Sequence, residues 1–253
     1  MIIAHISDLH CGRSWMFKRD YLDKAIGLIR DVDPDVTLIT GDLTDWGLES
    51  EFEEALSFLD KLNEPWYTVP GNHDGRHEGY KVFERLWRRP SRIFVQEQDK
   101  LVIAGLDSSE PDIDDGHVGR EQTDWLGKQL RETDPEYLPV VFLHHHLVPV
   151  PNTGRERNVL VDSGEVLLRL FDYGVPLILT GHKHTPWVWN LNGLIVSTAG
   201  TVSCERTAIP NSFSIIRIEN QDIEISQHIL ATDKRETIYK GWLAPRSNAR
   251  ERV

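Results

Sequence analysis

Short apolar runs alternate with segments of helical spacing through the first third of the chain. Ile2–Ser7, Val36–Thr40 and Trp66–Val69 read as strands. Between them, Tyr21–Arg30 sets Leu22, Ala25, Ile26 and Ile29 at helical spacing. Glu51–Leu62 repeats the period through Phe52, Ala55, Leu56 and Leu59. Asp33-Pro34 stops the first helix, and Gly71 ends the third strand. This β-α-β-α-β order predicts a parallel sheet with buried strands.

The middle of the chain is mixed. Arg92–Gln96 and Leu101–Leu106 read as strands joined by a turn at Asp99-Lys100. Pro139–Leu143 and Val175–Thr180 read as buried strands, and Gln122–Leu130 and Gly164–Phe171 as helices. Trp187–Asn190, Leu194–Ser197, Phe213–Ile218 and Ile223–His228 are short runs separated by turns such as Leu191-Asn192-Gly193, which predicts antiparallel pairing. From about Ala231 the periodicity fades. Residues 1–230 therefore read as one domain and 231–253 as a peripheral tail. Ser108–Gly119 is dense in turn formers and reads as a long acidic loop beside a strand end.

Composition narrows the classes. With 253 residues, 40% hydrophobic and 27% charged, the chain suits a soluble globular domain with a sizeable core. No apolar stretch is long enough to cross a bilayer, and the opening MIIAHISDLH lacks the pattern of a signal peptide. Two cysteines, Cys11 and Cys204, cannot build a disulfide framework, so a reduced, cytoplasmic setting is expected. The net charge of −12 gives no long-range attraction to nucleic acid or an anionic membrane, which argues against extended duplex binding. A small phosphate ester held at a local cationic site is compatible with it.

The placement of His, Asp and Asn changes the picture most. Asp8-Leu9-His10, Gly41-Asp42, Gly71-Asn72-His73-Asp74, His144-His145-His146 and Gly181-His182-Lys183-His184 each follow a predicted strand. In open α/β sheets, ligands collect outside the carboxyl ends of the strands. Extended backbone would point Asp8 and His10 the same way, and likewise His182 and His184. Gly41, Gly71 and Gly181 precede ligand segments, where sharp turns and close backbone approach are useful. Imidazoles with carboxylates and an amide oxygen suit Mn, Fe, Zn or Co and suit Ca poorly. The seven candidates, Asp8, His10, Asp42, Asn72, His144, His182 and His184, exceed one tetrahedral shell. They fit two ions sharing a carboxylate, roughly 3.5–4 Å apart.

The ordered set D-x-H, GD, GNHD, an HH-containing strand end and GHxH resembles the calcineurin-like metallophosphoesterase superfamily, from Asp8 to His184. Leu106-Asp107-Ser108, Gly116-His117-Val118, Gln122 and Trp125-Leu126, with Ala199-Gly200-Thr201 and Asn211-Ser212-Phe213, are similar to its class III cyclic-nucleotide phosphodiesterases and their glycerophosphodiesterase-like members. Relatives often read His-His-Pro-Pro where this chain has His144-His145-His146-Leu147; the first His matches the ligand.

The resemblance implies an α/β fold, a four-layer α/β-β/α sandwich with two mixed sheets. It implies one transition-metal ion (Mn, Fe or Zn) on Asp8, His10, Asp42 and His184. A second would lie on Asp42, Asn72, His144 and His182, with Asp42 bridging. His73 would be the general acid, oriented by Asp45 or Asp74. The implied activity is hydrolysis of a cyclic nucleotide or other small phosphodiester by a metal-bridging hydroxide. The alternatives are a phosphomonoesterase, a single-strand nuclease and a non-catalytic metal-binding scaffold.

Arg13, His117 and His145 are candidate substrate contacts, and a monomer or homodimer is expected. His5 reads as a packing residue, His77 and His228 as surface or structural. The eight Trp read mostly as core, with Trp15 and Trp46 as candidate pocket walls, and Arg88-Arg89 as a solvated face.

Overall fold

Two six-stranded mixed sheets pack face to face in a computed structural model that describes residues 1–87, 93–97, 100–154, 157 and 159–245. The chain runs β1 (Ile2–Ile6), α1 (Arg19–Val32), β2 (Val36–Ile39), α2 (Glu49–Leu59), β3 (Trp66–Thr68) and α3 (Gly79–Trp87). It continues through β4 (Ile93–Glu97), β5 (Leu101–Gly105), α4 (Gly119–Glu132), β6 (Leu138–Phe142), α5 (Ser163–Asp172) and β7 (Leu177–Thr180). The last third holds β8 (Trp187–Leu191), β9 (Leu194–Thr198), β10 (Ser212–Glu219), β11 (Asp222–Ile229) and β12 (Lys234–Trp242).

The first sheet has the order β12-β11-β10-β1-β2-β3, the second β4-β5-β6-β7-β9-β8. Strands joined through helices pair parallel: β1 with β2, β2 with β3, β5 with β6 and β6 with β7. Strands joined by tight turns pair antiparallel: β8 with β9 and β10 with β11. Helix crossovers permit only the first arrangement and hairpin turns only the second.

Three apolar layers hold the fold. Between the sheets, Ile3, Leu38, Phe142, Leu179, Ile216 and Ile225 meet. Outside the first sheet, Leu22, Ile26 and Ile29 of α1 and Phe52, Ala55 and Leu59 of α2 cover Ala4, Ile6 and Ile39. Outside the second, Leu126 and Leu130 of α4 and Val166 and Leu170 of α5 cover Val102, Val141 and Ile178. Full burial of one such side chain is worth about 1.5–3 kcal/mol. This is the expected four-layer α/β-β/α sandwich. Among the described residues, no helix is long and apolar enough to cross a membrane.

The structure corrects three expectations. Helix α3 is absent from the sequence prediction, although Val82, Phe83, Leu86 and Trp87 have helical spacing; Phe83 is buried and stacks on Trp87 at 4.8 Å. Residues 234–242, read as part of an aperiodic tail, form β12, paired antiparallel along β11. As an edge strand with little buried surface, β12 shows no apolar alternation. The tryptophans flank the core without filling it: Trp66 and Trp87 pack against one apolar cluster and Trp125 and Trp189 against another. Trp15 and Trp46 are 77% and 51% exposed, and the others are half-buried or, for Trp242, exposed. Arg88, Arg89, Asp99 and the tail beyond Pro245 lie outside the described residues.

Candidate metal centre

The seven candidate ligands converge where the carboxyl ends of β1, β2 and β3 meet those of β6 and β7. The backbone reaches this rim through tight left-handed turns. Asp8, His10, Asp42, His182 and His184 have φ of 55°, 50°, 51°, 73° and 53°. Non-glycine residues seldom adopt this region, and such strain clusters at functional sites. The side chains of Asp8 and His10 therefore converge through turns beyond β1, not through strand alternation as expected. Gly181 permits the closest approach: a Cβ there would lie 2.0 Å from Ser7 Oγ and 2.8 Å from Asp8 Oδ2. At Gly41, φ is 77° and a Cβ would meet Gly71 N at 2.6 Å.

The ligands separate into two groups. Asp8, His10, Asp42 and His184 place one ligand atom each within 4.8 Å of one another. In this group, His10 Nε2 lies 3.1 Å from His184 Nε2 and 3.6 Å from Asp42 Oδ2. His184 Nε2 lies 3.1 Å from Asp8 Oδ1. In the other group, Asn72 Oδ1 is 3.1 Å from both His144 Nε2 and His182 Nδ1. Asp42 Oδ2 is 3.4 Å from His144 Nε2. His182 and His184, two residues apart, thus serve different groups, and Asp42 touches both.

Surrounding contacts fix the ring orientations. His144 Nδ1 donates to Thr40 O at 2.7 Å, which turns Nε2 inward. The Asp8 carboxylate is held through Oδ2, which accepts from Ser7 Oγ at 2.5 Å and His182 N at 3.1 Å. Its Oδ1 is buried without a hydrogen-bond donor. Burying such an oxygen unpaired is costly, and a cation facing it would remove the cost.

Electrostatics agree with that fit. Burial holds His10 well below the ordinary imidazole range against the pull of Asp42. Burial, then His145 and His144, does the same to His182. Both rings are therefore neutral, with lone pairs to offer. Burial would also lower His144, but the Asp42 carboxylate outweighs it and raises that imidazole to about 9. A cation between them would take the place of that proton. The donor set and the orphaned oxygen thus fit metal ions with mixed nitrogen and oxygen shells.

His73 stands beside the first group, its ring 4.6 Å from His10 edge-to-face. Its Nδ1 donates to the backbone oxygen of Asp45 at 2.6 Å, and its own N–H donates to Asp42 Oδ1 at 2.9 Å. Asp45 thus orients His73 through its carbonyl, with its carboxylate 3.8 Å away. Asp74 corrects an expectation. Its oxygens accept from Gly71 N, Leu43 N, Thr44 N and Thr44 Oγ1 at 2.8–3.1 Å, so it braces the turns under the site. Burial, then Asp42, pushes its carboxyl up to about 7.

The three candidate substrate contacts also fall differently. His145 is buried, with Nδ1 2.8 Å from Ser108 Oγ and Nε2 3.1 Å from Asp114 O. Both nitrogens are spent on tying the acidic loop to the site. His117 is exposed beside Glu110 and Asp162 at 3.5 and 3.6 Å. Arg13 is exposed, and neither it nor His117 lines the cleft.

That cleft encloses about 460 Å³ and is lined by Asp42, Asn72, His73, His182 and His184, with Arg206 on its rim. Sequence reasoning missed Arg206. Its Nη1 donates to His73 Nε2 at 2.8 Å, and its Nη2 pairs with Asp45 Oδ1. The one sequence signal was its place between Ala199-Gly200-Thr201 and Asn211-Ser212-Phe213. Asp114, also missed, accepts from Asn72 Nδ2 and from Arg76 Nη2 at 3.2 and 3.0 Å.

Several known proteins are similar to this chain in sequence or fold. A probable glycerophosphodiester phosphodiesterase of Arcobacter nitrofigilis is 29% identical over 216 residues, 80% of this chain and 79% of that protein. A probable cyclic nucleotide phosphodiesterase of Synechococcus sp. is 27% identical over 217 residues, 83% of this chain and 82% of that protein. Among solved structures, a dimetal phosphatase from Danio rerio is similar in fold, with a TM-score of 0.66. It is 14% identical and covers 94% of this chain and 99% of that one. The calcineurin-like phosphoesterase family matches residues 1–186. Because that match takes in most of the chain and all five ligand segments, from Asp8 to His184, the chain belongs to the calcineurin-like phosphoesterase family.

Proposed function

We propose that this chain is a phosphodiesterase that hydrolyses a small diester, a cyclic nucleotide or a glycerophosphodiester, with two transition-metal ions of the Mn, Fe or Zn type. Family membership sets the reaction class, hydrolysis of a phosphoric ester. The diester and the paired ions are our reading. The observation that carries it is Asp42, whose Oδ2 stands 3.6 Å from His10 Nε2 and 3.4 Å from His144 Nε2, within reach of both groups.

Asp8, His10, Asp42 and His184 would hold one ion, and Asp42, Asn72, His144 and His182 the other. When bound, such a pair supplies Lewis acidity toward phosphoryl oxygens and acidifies water from a pKa of 15.7 toward about 7. The protein contributes the rest. Thr40 O and Ser7 Oγ hold His144 and Asp8 in ligand orientation. Asp45 O accepts from His73 Nδ1 and leaves Nε2 toward the cleft; once Nε2 has taken a proton from solvent, the imidazolium can pass it to the leaving alkoxide. The cleft, about 460 Å³, is of a size for a small ester. The two phosphodiesterase relatives support the same substrate class.

The test is metal analysis followed by assays of protein loaded with Mn, Fe or Zn. Bis-p-nitrophenyl phosphate, cyclic nucleotides and glycerophosphodiesters should turn over faster than p-nitrophenyl phosphate. A preference for the monoester would overturn the diester reading, and binding of a single equivalent of metal would overturn the paired ions.

A further inference from the structure

Arg206 bridges two residues of the proposed reaction from a part of the chain outside all five ligand segments. It follows Cys204 on the turn between β9 and β10. The base of that turn is fastened to the first ligand segment. Thr201 Oγ1 donates to Asp8 O at 2.7 Å, and Ser203 Oγ donates to Leu9 O at 2.7 Å. Lys18 N donates to Ser203 O at 2.7 Å, and Asn211 Nδ2 donates to Cys204 O at 3.1 Å. Beyond this buried base, Thr207, Ala208 and Ile209 are exposed and line the cleft with Arg206. Arg206 itself is 26% exposed, so a firmly held backbone carries a side chain with room to turn.

Its present contacts compete with the assigned role of His73. Arg206 Nη1 donates to His73 Nε2, so that nitrogen accepts and is closed to the proton it would carry to an ester oxygen. Among the described residues, two other cations near the cleft are committed elsewhere. Lys183 Nζ donates to Arg157 O at 2.8 Å. Arg76 pairs with Asp114 and stacks 5.1 Å from the Trp46 ring. A guanidinium gains more from a phosphoryl oxygen than from a neutral imidazole, because the contact is charge-assisted and its fork matches phosphate. Asp45 can keep Nη2 while the Nη1 side turns.

We propose that Arg206 is the phosphate anchor of this cleft, exchanging its contact with His73 Nε2 for a non-bridging phosphoryl oxygen and thereby freeing that nitrogen to take a proton from solvent and pass it to the leaving group. This rests on the phosphodiesterase reading of the same site. The test compares wild type, Arg206→Lys, Arg206→Gln and Arg206→Ala, each loaded with the same metal and matched for metal content and melting temperature. Inorganic phosphate, titrated calorimetrically, should bind Arg206→Gln and Arg206→Ala about 10–100-fold more weakly than wild type, with partial recovery in Arg206→Lys. With bis-p-nitrophenyl phosphate, KM should rise by a larger factor than kcat falls. Equal phosphate affinity in wild type and Arg206→Gln, or no phosphate binding by wild type, would overturn the anchor. So would a rise in kcat at constant KM, which marks a cap on His73. Absence of turnover by wild type on every diester would sink the phosphodiesterase reading, while the phosphate titration would still decide Arg206.

Discussion

Asn72 donates through Nδ2 to Asp114 Oδ1 at 3.2 Å, and this contact turns its amide oxygen toward His144 and His182, each 3.1 Å away. The loop that carries Asp114 is itself fastened by His145, through Ser108 Oγ and Asp114 O. An acidic loop thus sets the orientation of one ligand in the second group. Asp114→Ala should weaken the second metal equivalent about 10–100-fold and leave the first near its wild-type affinity. Stepwise metal titration reads both. An equal loss of both ions would mean that the loop supports the whole site instead.

Asp42 serves both groups, so Asp42→Ala should lose both metal equivalents and hydrolysis together. Elemental analysis of the purified variant checks this. Retention of one full equivalent would contradict a shared carboxylate.

His73→Ala should keep both metals and lose about 10²–10⁴-fold in kcat on an alkyl diester. The loss should be smaller on aryl esters, whose leaving groups need no proton. Steady-state kinetics on a matched alkyl and aryl pair measures the difference; equal losses on both would remove His73 as the proton donor.

Gly181→Ala would drive a methyl group against Ser7 Oγ and Asp8 Oδ2, at 2.0 and 2.8 Å. The expected cost is about 1–3 kcal/mol, as for other overpacked sites, together with weaker metal binding through displaced Asp8. Thermal unfolding of the metal-free and metal-loaded protein separates the two effects. Wild-type stability and metal content in this variant would show that the turn relaxes freely.

His5 is buried, with Nε2 3.0 Å from Thr40 Oγ1, and burial lowers its pKa from 6.5 to about 3. Between those values the unfolded chain binds a proton that the folded protein refuses, so stability falls as pH falls. From pH 7 to pH 5 this one group should remove about 2 kcal/mol. Denaturant midpoints at the two pH values should lie closer together in His5→Gln than in wild type; parallel shifts would exclude His5 from the acid response.

Much of this was legible in the sequence. The alternation of Ile3, Leu38 and Val140 runs with the helical stripes of α1, α2 and α4 marked the layers. The positions of Asp8, Asp42, Asn72, His144 and His182 marked the rim. These are local patterns: residues within a turn or a strand set their own burial, and glycine before a ligand marks a turn. Helix α3 and β12 escaped because one buries little more than Phe83 and the other runs along an edge.

What the local pattern could not decide is which atoms meet. Asp8 and His182 are 174 residues apart and belong to different sheets, yet the backbone N–H of one meets the carboxylate of the other. The spending of both His145 nitrogens, the bracing role of Asp74 and the reach of Arg206 to His73 all depend on how the sheets close upon each other. The sequence by itself determined the strands, the turns and the kinds of donor atom at their ends. Only the tertiary structure decided the partners, because hydrogen bonds and metal coordination act over about 2–4 Å and are fixed by the packing between sheets, not by spacing along the chain.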